Sequence, residues 1–97
     1  MRDLNNYLPQ IKQIIARNLD LSKYRLFLFG SRAKGLNAKY SDFDIGIIGE
    51  KPLPSSLKIN IEGDLEDSDI PIKVDIVDFC EVPEKFKNVA FLRTIDL

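Results

Sequence analysis

The chain contains no histidine, no tryptophan and a single cysteine, and no apolar stretch in it approaches the roughly 20 residues that a membrane-spanning helix needs. Each absence excludes a class of function. Without histidine there is no Ser–His or Cys–His nucleophile pair and none of the usual zinc ligand sets. Cys80 has no second thiol in the chain to pair with, so an internal disulfide is excluded. The Lys and Arg residues are scattered and the formal net charge is -1, which argues against duplex nucleic-acid binding through the phosphate backbone. The opening segment MRDLNNYLPQ lacks the apolar centre of a secretory signal, so the expected location is cytoplasmic. Any chemistry here must rely on oxygen ligands.

What is present describes an ordinary globule. The 97 residues are 44% hydrophobic and 30% charged, which predicts one folded domain spanning residues 1–97. No internal repeat interrupts it, and the Gly/Lys/Pro/Ser stretch from Gly49 to Ser56 reads as an internal loop.

Leu4, Leu8, Ile11, Ile14, Ile15 and Leu19 recur at helical spacing, and Pro9 belongs in a first turn, so a helix is expected from Tyr7 or Leu8 to Asn18. Tyr24 to Phe29 is apolar on both alternating faces, as in a central strand covered on both sides, and Gly30 ends it. Ser31 is placed to cap a short helix over Arg32 to Lys34, closed by Gly35. From Asp42, alternation puts Phe43, Ile45 and Ile47 on one strand face and Asp42, Asp44 and Gly46 on the other. Leu57, Ile61 and Leu65 predict a second helix ending near Glu66, weakened by Gly63. Ile72 to Phe79 reads as a third strand with Lys73, Asp75 and Val77 on a common face, and Pro83 to Phe91 as a last short helix. Strands separated by helical segments imply an α/β (α+β) arrangement, a small sheet with helices on one face.

Three features converge on phosphoryl chemistry. Gly30-Ser31 stands where a strand meets a helix start, whose backbone N–H groups and the Ser31 hydroxyl suit the phosphates of a triphosphate. Asp42 and Asp44, two residues apart on one strand face, suit hard cations such as Mg²⁺. Asp75, on a later strand, supplies the third carboxylate of a two-metal site for in-line displacement at phosphorus. Such a reaction needs positioning and charge neutralisation more than a covalent nucleophile, so the missing histidine is no obstacle.

Gly30-Ser31, ten residues, then Asp42-Phe43-Asp44 resembles the signature of the DNA polymerase β-like nucleotidyltransferase superfamily. A chance Gly-Ser-x10-Asp-x-Asp in so short a chain is on the order of one in a thousand, which favours the resemblance over coincidence. GSRAKGLNAKYSDFDIGI followed by IKVDIVDF looks like the minimal nucleotidyltransferases (MNT), typically paired with a helical HEPN partner in toxin–antitoxin modules. The resemblance runs from Leu26 to about Phe79. It implies a polymerase β-like nucleotidyltransferase fold, ATP as donor with two Mg²⁺ ions, and a tyrosine hydroxyl on the HEPN partner as acceptor. By the same resemblance Ser31 holds the triphosphate, with Gly30, Arg32 and Lys34 beside it. Asp42 and Asp44 bind metal, and Asp75 helps the acceptor lose its proton. The chain ends soon after the third strand, without an acceptor-binding helical domain, so the acceptor is expected on another chain, in a homo- or hetero-oligomer.

Taken singly, Gly30-Ser31 is an ordinary strand-to-helix turn and Asp42/Asp44 a polar strand edge; their joint spacing favours a catalytic site. Two rival functions stand beside the enzyme: an interaction module that neutralises a partner by binding, with a vestigial site, or a catalytic subunit modifying a small-molecule hydroxyl. Asp75, between Val74 and Ile76, reads as a carboxylate in an apolar run, and Asp78 as facing away from it at a solvated strand end. Glu62, Asp64, Glu66, Asp67 and Asp69 read as a solvated helix end and Cys80 as a buried packing residue. Phe86, Val89, Phe91 and Leu92 exceed what so small a core needs and mark an interface. The tail FLRTIDL lacks the glycine expected of the family and leaves the last element open.

Overall fold

Residues 7–30, 43–92 and 94–97 are described by a computed structural model. In chain order the elements are α1 (Leu8–Ala16), β1 (Tyr24–Phe29), β2 (Phe43–Gly49), α2 (Ser55–Glu66), β3 (Val74–Asp78), α3 (Glu84–Ala90) and β4 (Ile95–Asp96). The four strands form one mixed sheet in the order β3-β2-β1-β4, with β1 antiparallel to both β2 and β4 and β2 parallel to β3. The turn expected around Ser31, Arg32, Lys34 and Gly35, and Asp42 itself, lie outside the described residues.

The apolar residues of β1 divide between two cores because side chains alternate along a strand. Leu26 and Leu28 join Phe43, Ile45 and Ile47 of β2 and Ile76 of β3 on one face, where α1 supplies Ile11, Ile14 and Ile15 and α2 supplies Ile61 and Leu65. Helices α1 and α2 thus cover one face, while Phe86 and Ala90 of α3 pack on the aromatic cluster of the other. Each fully buried Ile, Leu or Phe there contributes about 1.5–3 kcal/mol relative to an exposed position. Phe27 and Phe29 face the other way and form a second cluster with Phe79, against which Val82 and Ala90 pack. The rings of Phe86 and Phe91 reach the same cluster, their centroids 5.7 and 5.5 Å from that of Phe79. Gly46 of β2 lies beneath it: a Cβ there would enter the rings of Phe27 and Phe79. The second sheet face is therefore partly an aromatic core and not solely a surface for chemistry.

Polar contacts tie the ends of elements together. Helix α1 stops at Ala16, two residues before its expected end, and the Asn18 amide donates to the Asp64 carboxylate on α2 at 2.9 Å. Gln10 likewise donates to Asp69 at 2.7 Å, so two of the five acidic residues expected to be merely solvated brace α1 against the end of α2. Asp78 does face away from Asp75, but it is half-buried at the end of β3 and accepts the backbone N–H of Leu53 at 2.7 Å and of Cys80 at 2.9 Å. It anchors the loop before α2 to the sheet, and Cys80 is half-buried beside it. The tail, left open by the sequence, supplies β4 along the edge of β1, with Arg25 and Asp96 paired at 2.7 Å.

Candidate active site

The strand directions determine where the carboxylates meet. Because β2 runs antiparallel to β1, its first residues lie beside the last residues of β1; because β3 runs parallel to β2, both strands begin at the same end of the sheet. Phe29 is the register partner of Asp44, and Asp44 is the register partner of Asp75. Register partners on adjacent strands project from the same face, so the three side chains form a row, with backbones about 4.8 Å apart from strand to strand.

Gly30 closes the row. Its φ of +76° lies in the left-handed region that L side chains rarely adopt, and the chain uses that conformation to turn away as β1 ends. A Cβ on Gly30 would also run into the Asp44 carboxylate. The glycine therefore serves twice, once for the turn and once for the space that Asp44 occupies. Asp44 is half-buried in this position.

The Asp75 side chain is 41% exposed, with the Lys73 ammonium 3.5 Å from its Oδ1. This corrects the expectation of a carboxylate immersed in an apolar run. Val74 and Ile76 belong to the opposite sheet face, where they pack with the α1/α2 core, so they do not desolvate their neighbour. Lys73 was not singled out as a site residue, although the same alternation places it on the face of Asp75. Phe29 was missed too, since its place in the row depends on strand pairing.

The described part of the candidate site thus brings together Gly30, Asp44 and Asp75, while Ser31, Arg32, Lys34 and Asp42 fall outside the described residues. Among the described residues no group of three or more acidic or cysteine side chains could enclose a metal. Asp44 and Asp75 provide a two-carboxylate platform, and with oxygen donors alone it fits a hard cation such as Mg²⁺ that keeps water and phosphate ligands. A hollow of about 500 Å³ lies at the other end of the sheet near Tyr24, Ile48 and Leu97, away from this row. A second, about 420 Å³, lies between the end of α2 and the start of β3 and is bordered by Glu62, Glu66 and Lys73. The carboxylate row, where like charges are held together, is the feature with chemical content.

The class of protein that carries this mixed sheet, with its paired aspartates beside a strand-ending glycine, is shown by comparison with known proteins. The nucleotidyltransferase domain family model matches residues 8–96, and the chain belongs to that family. It is 38% identical over 66 residues to a probable protein adenylyltransferase MntA of Haemophilus influenzae. That match covers 68% of this chain but only 58% of the relative, less than two thirds of its length. Among solved structures, a toxin–antitoxin complex with AMP-PNP superposes with a TM-score of 0.74 at 21% identity, covering 91% of this chain and 69% of the other. The MNT antitoxin fold also recurs in a complex with a tri-AMPylated Shewanella oneidensis HEPN toxin, at TM-score 0.71 and 18% identity over 97% of this chain and 71% of that one. At these identities the structural matches establish the shared fold. No helix among the described residues is long and apolar enough to cross a membrane.

Proposed function

We propose that this protein is a Mg²⁺-dependent nucleotidyltransferase that moves AMP from ATP to a hydroxyl on a protein partner, a HEPN-type toxin that it thereby neutralises in the cytoplasm. The observation that carries the reading is the register pairing of Asp44 with Asp75 on one sheet face, beside a glycine whose missing side chain makes room for the Asp44 carboxylate. The MntA relative, a probable protein adenylyltransferase, supports the same chemistry.

In this reading Asp42, Asp44 and Asp75 would hold two Mg²⁺ ions, which when bound would supply charge neutralisation at the phosphates and lower the pKa of the attacking hydroxyl. Gly30 and Ser31 would offer backbone N–H groups and a hydroxyl to the triphosphate, and Arg32 and Lys34 would add positive charge. Asp75 sits at the outer end of the row, 41% exposed, and is the carboxylate an incoming hydroxyl reaches. Its task is to orient that hydroxyl and assist loss of its proton; Asp44, half-buried under Gly30, keeps a fixed position. Together they favour attack in line with departing pyrophosphate, a rate gain that comes from positioning.

The test combines the purified protein, its HEPN-type partner, Mg²⁺ and ATP labelled on the α- or the γ-phosphate, with Asp44→Asn as control. Transfer of α-label alone to the partner, lost in Asp44→Asn, is the expected result. A stable complex that neutralises the partner with no label transferred would replace the enzyme with a binding-only antitoxin.

A further inference from the structure

We infer that Lys73 is an exchange cation of this site: its ammonium holds the Asp75 carboxylate before metal arrives, and metal binding releases it to the phosphates of the nucleotide. The inference rests on the metal and nucleotide reading given above.

The Lys73 backbone is fixed. Its carbonyl accepts the N–H of Phe43 at 3.0 Å, so the residue is tied to the start of β2 just before β3 begins. Its side chain is the opposite, 72% exposed on a long flexible stem, with Nζ 3.5 Å from Asp75 Oδ1. A contact of this length between exposed groups is weak, and a divalent cation that engages both Asp44 and Asp75 outcompetes it. A double positive charge at Asp75 would repel the ammonium and free it.

Two destinations are within the surroundings of Lys73. One is the bordering hollow with Glu62 and Glu66; the other follows from the proposed reaction, in which the phosphate under attack must lie beside Asp75. The triphosphate carries the larger and more concentrated negative charge, and a mobile ammonium is a suitable point-charge partner for phosphate. The same lysine thus opposes metal binding in the empty site and favours nucleotide binding in the loaded one.

These two effects have opposite signs, which a purely structural lysine would not produce. Mn²⁺ binding without nucleotide is read by electron paramagnetic resonance, and AMP-PNP binding at saturating Mg²⁺ by calorimetry, in wild type, Lys73→Gln, Lys73→Arg and Lys12→Gln. Lys12 makes the same charge change beside the hollow at the far end of the sheet. In Lys73→Gln the Mn²⁺ dissociation constant is expected to fall about two- to five-fold, while that of AMP-PNP rises about three- to ten-fold. Lys73→Arg and Lys12→Gln are expected to stay within about two-fold of wild type in both. Shifts of the same sign, no shift, or tighter Mn²⁺ with unchanged AMP-PNP in Lys73→Gln would overturn the inference while leaving the proposed function intact. A wild-type protein that binds neither probe would overturn the proposed function and this inference with it.

Discussion

Replacing Gly30 with alanine tests how far the site depends on one missing side chain. At φ +76° an L residue incurs about 1–2 kcal/mol of steric strain. For a domain of this size that corresponds to a melting temperature lower by roughly 4–16 °C. The new Cβ also occupies the space of the Asp44 carboxylate, which must leave its place beside Gly30. A displacement of about 1 Å in a catalytic group lowers turnover by on the order of 100-fold, so the loss of activity should exceed what partial unfolding explains. Asparagine separates the two effects, since it tolerates the left-handed conformation better than alanine but still carries a Cβ. Thermal denaturation followed by circular dichroism, together with α-label transfer at a temperature where all variants are folded, is the assay. Gly30→Ala should lose stability and activity, and Gly30→Asn should regain much of the stability without the activity. An alanine variant as stable and active as wild type would refute both the turn and the close-approach arguments.

Three other substitutions probe the frame around the site. Gly63 on α2 is exposed and a Cβ there meets nothing within 4 Å, so Gly63→Ala should raise stability by about 0.5–1 kcal/mol in denaturant titration. Asp78→Ala removes the acceptor of two backbone N–H groups and should destabilise by about 1–3 kcal/mol, with Asp78→Asn losing less because one carbonyl oxygen remains. The Asp20 carboxyl is held below the usual carboxylate range, first by the hydroxyl hydrogen bond from Ser22 at 2.7 Å, then by the Ser22 backbone N–H at 2.9 Å. Because its pKa is lowered on folding, the stabilisation is present above the unfolded carboxyl's pKa and fades as pH falls through the lower folded value. Ser22→Ala should raise the Asp20 midpoint in an NMR titration, and an unchanged midpoint would remove the hydroxyl as the main cause.

Much of this was legible in the chain because local pattern and tertiary placement agree. Tyr24 to Phe29 reads as a doubly covered strand, and two separate cores do receive its alternating side chains. Phe43, Ile45 and Ile47 are buried on one face, and Asp44 emerges on the other, as alternation requires. Other features depend on pairings that a linear pattern does not encode. The start of α2 at Ser55 has no side-chain cap to announce it, so its apolar spacing alone marked the helix from Leu57. Strand β4 is two residues long and exists because the edge of β1 is available to it. The surroundings of Asp75 were misjudged from its sequence neighbours, which lie on the other face, and the anchoring role of Asp78 depends on Leu53, distant in sequence. Of the four apolar residues expected at an interface, Val89 and Leu92 are 58% and 75% exposed, whereas Phe86 and Phe91 also pack on the aromatic cluster.

The central claim is that Asp44 and Asp75 serve one chemical centre, and a double-mutant cycle on α-label transfer addresses it directly. Groups that act as a unit give non-additive losses, so Asp44→Asn and Asp75→Asn should each reduce transfer to near background, and the double variant should be no worse than either. Losses that multiply independently, or substantial transfer by either single variant in a folded protein, would contradict the account.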